Sequence, residues 1–152
     1  MKGNMWKVLA SGAMAASMLA GCSAGSGNAG GAEGKTLNEG DTVKIGLNFE
    51  LSGDVSSYGQ AERNAAQLAI EQYNARTDTK FKAEGVEVDD KGDAAESTTQ
   101  AVKLCTEDGV AAIVGPATSG ASIATYAVAD ENSVPVISPS ATQVNAMMNG
   151  DN

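Results

Sequence analysis

Apolar and polar positions alternate through Val43-Lys44-Ile45-Gly46-Leu47-Asn48-Phe49, the two-residue period of a strand with one face on a core. Glu50 to Gly59 is rich in Ser and Gly, which predicts a loop. Beyond it, Ala61, Ala65, Leu68, Ala69 and Tyr73 recur at helical spacing, so Gln60 to Asn74 is predicted as an amphipathic helix whose polar face holds Glu62, Arg63, Gln67 and Glu71. Alternation returns from Gly85 to Asp90 through Val86 and Val88, a second strand with Asp89-Asp90 as its solvated end. Asp93 followed by Glu96 is close to a capping box, and Ala94, Thr98, Ala101, Val102 and Cys105 keep helical spacing until Gly109 stops the helix. Val110-Ala111-Ala112-Ile113-Val114 is a continuous apolar run, as in a strand buried on both faces. A third helix is predicted from Ser119 to Glu131, and Val134-Pro135-Val136-Ile137 forms a fourth strand with its proline near the start.

Strand and helix thus alternate with short connections, the pattern of an α/β doubly wound parallel sheet. In such sheets ligands bind beyond the carboxyl ends of the strands. That directs attention to three segments: Leu51 to Gly59, Gly115 to Gly120 and Ser138 to Thr142.

The chain before the first strand is of another kind. Lys2 and Lys7 precede a run from Val8 to Ala20 that is apolar or small apart from Ser11 and Ser17, the layout of a secretory signal. The run is shorter than the roughly 20 residues a helix needs to cross a bilayer. It ends in Leu19-Ala20-Gly21-Cys22, which resembles the bacterial lipobox. The resemblance implies a diacylglycerol on the Cys22 thiol, cleavage before it, and a palmitate-type membrane anchor. The alternative is an ordinary secretory signal cut elsewhere, with Cys22 discarded. Cys22 to Gly34 is Ser, Ala, Gly and Asn almost throughout, a flexible tether holding the domain about 20 Å from the lipid. The expected organisation is therefore a signal over residues 1–21, a lipidated tether over 22–41, and a domain over 42–152.

Ten basic residues stand against nineteen acidic ones; loss of Lys2 and Lys7 with the signal leaves eight against nineteen, a charge of −11. That balance excludes nucleic acid as a partner, because phosphate binding needs clustered Lys and Arg. The chain has no histidine, which removes His-based triads, His-ligated zinc and the commonest general base near neutral pH. No enzyme, metal or cofactor is expected. Cys105 is left without an intramolecular partner once Cys22 is acylated, and is expected as a buried helix residue.

Gly115-Pro116-Ala117-Thr118-Ser119-Gly120-Ala121-Ser122 has the spacing of a phosphate-binding loop, with Ala121 where lysine belongs. What remains is a helix N-terminus with free backbone N–H groups beside a hydroxyl, suited to a carboxylate. Ser119 could equally serve only as the helix cap. Ser138-Pro139-Ser140-Ala141-Thr142, at the end of the next strand, offers hydroxyl and carbonyl acceptors for an ammonium group, and Thr142 could cap a helix from Gln143 to Met148.

Leu51-Ser52-Gly53 followed by Tyr58-Gly59, Asp89-Asp90, Gly115-Pro116 with Ser119, and Val136-Ile137-Ser138-Pro139 with Ala141-Thr142 resemble the branched-chain amino-acid binding proteins of ABC transporters, the leucine-binding type. Order and spacing match from about Thr42 to Thr142, about the first third of a family member. The resemblance implies a two-lobed type I periplasmic-binding fold, here the partial N-terminal lobe, closing on its ligand by a hinge. It implies that Ser119 binds the ligand carboxylate through hydroxyl and N–H, that the Ser140 carbonyl and Thr142 hydroxyl take the ammonium, that Tyr58 leans over the ligand, and that Ala117 lines the pocket. Some relatives place a disulfide where this chain has Gly92 and Thr118.

The function expected is an exported, lipid-anchored solute-binding component that delivers a branched-chain or aliphatic amino acid to a membrane permease. A ligand-sensing domain of the same fold is the alternative. A Ser119 hydrolase is disfavoured by the missing histidine and the lack of a Gly-x-Ser-x-Gly elbow.

Overall fold

The computed structural model describes residues 36–144. The predicted signal, Cys22 and most of the tether lie outside the described residues, as does most of the helix expected from Gln143 to Met148. Four parallel strands and three helices alternate: β1 (Thr42–Phe49), α1 (Ser56–Ala75), β2 (Lys82–Asp89), α2 (Ala94–Val102), β3 (Ala112–Val114), α3 (Ser119–Glu131) and β4 (Val136–Ile137). The sheet order is β2-β1-β3-β4, all neighbours parallel. The chain therefore winds from β1 to β2 on one side and returns across β1 to lay β3 and β4 on the other. The direction of winding reverses between β1 and β3, where strand ends leave a crevice.

Leu47, Phe49, Leu104 and Ile113 are fully buried, each stabilising the fold by about 1.5–3 kcal/mol relative to exposure. Asp93 caps α2, its Oδ1 accepting from the N–H of Ala95 and Glu96 at 2.9 Å each. The return half of a capping box is not made: Glu96 Oε1 instead accepts from Gln100 Nε2 at 2.9 Å. After Val102 the helix widens into a π-helical segment, Lys103–Asp108, and ends at Gly109 in the left-handed region, φ 65°. Cys105 is buried there with a free thiol, and burial pushes its pKa up.

Two expectations about α1 fail. The helix starts at Ser56, so Ser56 to Gly59 are helical rather than loop. Its orientation also reverses the expected one: Ala61, Ala65, Leu68 and Ala69 are exposed, whereas Glu62, Arg63, Gln67 and Ile70 are half-buried. The cause is Gly59, the buried residue of the helix, which rests against the backbone of Glu50 where any Cβ would collide. That contact sets the rotational phase, and 62/63, 66/67, 70 and 73/74 follow it at helical spacing toward the sheet. The polar groups carried inward find partners: Arg63 Nη1 reaches Glu87 Oε2 at 3.0 Å, and Asn74 bridges the N–H and carbonyl of Ala83 at 2.9 and 2.7 Å.

Asp89-Asp90 is also not a solvated strand end. Asp90 is fully buried, and Asp89 Oδ1 accepts from the N–H of Leu51, Ser52 and Lys91 at 2.9, 3.2 and 3.0 Å. Partial burial opposes ionisation of Asp89, but these bonds and that from the Ser52 hydroxyl hold its pKa below the ordinary value. The segment after β1 is thereby pinned to the end of β2.

Candidate functional site

At the crevice between β1 and β3, the first residue after β1 is Glu50, fully buried. Its Oε2 accepts from the Ala117 N–H at 3.0 Å, and its Oε1 from the Thr118 N–H and hydroxyl at 2.8 Å each. Two of the loop N–H groups expected to be free for a ligand anion are thus already held by an internal carboxylate. Thr118, not Ser119, occupies the N-cap position of α3, and it makes no side-chain cap bond. The anion-binding potential that remains belongs to the first turn of α3 itself, whose N–H groups have no intrahelical partner. At Gly120 in that turn, nothing lies within 4 Å of where a Cβ would be.

The Ser119 hydroxyl is freed from capping. Its oxygen accepts from the N–H of Thr142 and of Gln143, both at 3.2 Å. A hydroxyl oxygen that accepts twice still has one proton to donate. Ser140 Oγ lies 2.6 Å from Glu62 Oε1 on α1 and 3.0 Å from the Ala117 carbonyl. It has one proton, which the shorter, charge-assisted contact with Glu62 takes. Ser138 Oγ donates to the Pro116 carbonyl at 2.6 Å and accepts from the Ala141 N–H at 3.0 Å. The loops after β3 and β4 are therefore sewn together by three serines, and Ala117, Ser119, Ser140 and Thr142 form one connected patch. Ala117 is buried beneath it, Ser119 is half-buried, and Ser140 and Thr142 are exposed. Tyr58 stands in the first turn of α1, one turn before Glu62, with 67% of its surface open.

Behind the patch a buried chain of polar groups joins β1, α2 and α3. Asn48 Nδ2 donates to Thr125 Oγ1 at 3.0 Å, Thr125 Oγ1 meets Ser97 Oγ at 2.8 Å, and Ser97 Oγ lies 3.0 Å from the Ala121 carbonyl. Asp90 Oδ1 accepts from the Gly92 N–H at 2.9 Å. Burial pushes Asp90 up to about 6, against the pull of the Gly92 N–H, and the charge of Glu50 pushes the same way.

Sequence reasoning missed Glu50, Glu62 and Asp90. Glu50 left a signal: it follows directly on the last apolar position of the first strand, where a buried sheet ends and ligand-side chemistry begins. Glu62 was assigned to the wrong side of its helix, and Asp90 to solvent.

Among the described residues, no cluster of three or more acidic or sulfur side chains could hold a metal ion, and no helix is long and apolar enough to cross a membrane. Three comparisons with known proteins agree with the geometry. The Leu/Ile/Val-binding protein BraC3 of Rhizobium johnstonii is 35% identical over 101 residues, which cover 66% of this chain and 27% of the relative. A leucine-, isoleucine-, valine-, threonine- and alanine-binding protein of Pseudomonas aeruginosa is 35% identical over 103 residues, again 27% of its own length. This chain thus spans little more than a quarter of these relatives. Among solved structures, the branched-chain amino acid transporter substrate binding protein LivJ from Streptococcus pneumoniae, in complex with isoleucine, is 46% identical with a TM-score of 0.67, covering 69% of this chain and 30% of that one. The leucine binding protein LivK from Thermotoga maritima is 26% identical with a TM-score of 0.65, covering 71% and 30%. A family model described as periplasmic binding protein matches residues 42–150. The chain belongs to the periplasmic binding protein family.

Proposed function

We propose that this chain is part of the extracytoplasmic solute-binding component of an ABC transporter, and that its ligand is a branched-chain or aliphatic amino acid handed on to a membrane permease. The carrying observation is the convergence of Ser119, Ser140 and Thr142 in one patch at the reversal of winding. On this reading the Ser119 hydroxyl and the first-turn N–H groups of α3 take the carboxylate, while the Ser140 carbonyl and Thr142 hydroxyl take the ammonium. Tyr58 covers the ligand, and Ala117 lines the floor. No bond is made or broken.

The names of the relatives support the ligand class, and the isoleucine complex of the 46%-identical protein supports it most directly. A solute binding protein from Rhodopseudomonas palustris, 27% identical with a TM-score of 0.65, holds 3,4-dihydroxybenzoic acid, a carboxylate without an amine. The ammonium half of the site is therefore what has to distinguish the two classes. Calorimetric titration of the full-length protein with leucine, isoleucine, valine and an aromatic acid tests the reading. The aliphatic amino acids are expected to bind and the aromatic acid not; no heat with any amino acid removes the proposal.

The run before the domain supports export and attachment through Cys22, with residues 22–41 as the tether and 42–152 as a partial N-terminal lobe. Labelling of cells with a palmitate analogue is expected to mark the wild-type protein and not Cys22→Ala. Equal labelling of both discards the anchor.

A further inference from the structure

Glu62 joins α1 to the loop after β4, its Oε1 2.6 Å from Ser140 Oγ across 78 residues of sequence. Its other oxygen, Oε2, is out of contact with water and has no hydrogen-bond partner. Among the described residues no lysine or arginine forms an ion pair with it; the adjacent Arg63 is committed to Glu87 at 3.0 Å. A carboxylate oxygen shielded from water and left without a donor is unusual and costly. At such a depth its charge is weakly screened, so a cation held a few ångströms away feels it strongly. Glu50, the other acid of the crevice, is not available for this role: both its oxygens are taken by Ala117 and Thr118.

We propose that Glu62 is the charge partner of the ligand's amine, supplying the negative charge that an ammonium group meets beside the Ser140 carbonyl and Thr142 hydroxyl. The inference rests on the reading of this patch as an amino-acid site. Carbonyl and hydroxyl acceptors alone would admit a neutral amide or alcohol almost as readily as an ammonium. A carboxylate one contact behind them turns the subsite into one selective for a cation. It also explains why α1 turns a glutamate toward the patch and leaves alanines outside.

Glu62→Gln separates charge from packing, because its amide carbonyl can still accept from the Ser140 hydroxyl. In the full-length protein, titration with leucine and with 4-methylpentanoate, which lacks the amine, is expected to show a strong preference for leucine in the wild type. Glu62→Gln is expected to lower leucine affinity at least tenfold and leave 4-methylpentanoate within about twofold, while Glu62→Asp, which keeps the charge, recovers part of the loss. Equal losses for both ligands, or Glu62→Asp binding no better than Glu62→Gln, would make Glu62 a structural residue and overturn the proposal. A wild-type protein that binds no amino acid is a different result, which fails the site reading itself.

Discussion

The Ser119 hydroxyl oxygen accepts the Thr142 N–H at 3.2 Å, tying the first turn of α3 to the chain leaving β4 across 23 residues. The bond fixes the direction of the one proton Ser119 has left to give. Ser119→Ala is expected to weaken amino-acid binding by about 1–3 kcal/mol, the range for leaving a buried ligand acceptor unsatisfied. Thr142→Ala should fall in the same range through the amine. Because the bond is exposed in the free chain, water replaces the lost hydroxyl and the denaturation midpoint should barely move. Unchanged affinity in both variants would remove these residues from the site.

Glu50→Gln tests the internal carboxylate. In the wild type both oxygens face donors: the N–H groups of Ala117 and Thr118 and the Thr118 hydroxyl. A glutamine puts an NH2 group against at least one of those N–H donors, at a fully buried position. Breaking a buried charged hydrogen-bond set of this kind is expected to destabilise the fold by about 3 kcal/mol or more. Urea unfolding checks it; a midpoint equal to the wild type's would mean the loop after β3 does not depend on Glu50.

What was legible in the sequence follows from what local pattern controls. The four strands and the third helix, Ser119–Glu131, could be read because period and glycine stops report the backbone directly. The phase of α1 could not, because it depends on one glycine meeting the backbone of a residue nine positions earlier, a tertiary contact with no periodic signature. The juxtaposition of Ser119 with Thr142 was legible through topology, since adjacent parallel strands bring their exit loops together. Glu50 was hidden for the opposite reason. A lone acid after a strand looks solvated until the donors it satisfies, 67 and 68 residues away, are seen.

Asp90 should make stability fall as pH rises. Its pKa is about 6 in the fold and 3.8 as an ordinary aspartate, so between about pH 4 and 6 the folded chain keeps a proton that the unfolded chain gives up. The fold is favoured at the acid end of that window and loses the advantage as pH climbs through 6, by about 2–3 kcal/mol in all. Asp89, with its pKa lowered, acts in the opposite direction at lower pH. Comparing urea midpoints of the wild type and Asp90→Asn at pH 4.5 and pH 7 isolates the term. The variant is expected to gain on the wild type as pH rises; a constant difference would mean Asp90 titrates normally.

Two glycine-to-alanine changes should move stability in opposite directions. In helix interiors alanine is favoured over glycine by about 1 kcal/mol, so an unobstructed site gains from the change. Gly120 is such a site, with nothing within 4 Å of the added Cβ. At Gly59 the Cβ would run into the Glu50 carbonyl oxygen, with the Glu50 carbonyl carbon and nitrogen each 2.7 Å away. Backbone pinned by Asp89 cannot withdraw as a flexible side chain could, so the helix has to lift or rotate. Overpacking of this kind costs about 1–3 kcal/mol and outweighs the propensity gain. Gly59→Ala is therefore expected to lower the urea midpoint while Gly120→Ala holds or raises it. Rotation of α1 would also pull Glu62 from Ser140, so Gly59→Ala should lose leucine affinity well away from any ligand atom. A Gly59→Ala protein as stable as the wild type would show that α1 does not take its phase from Glu50.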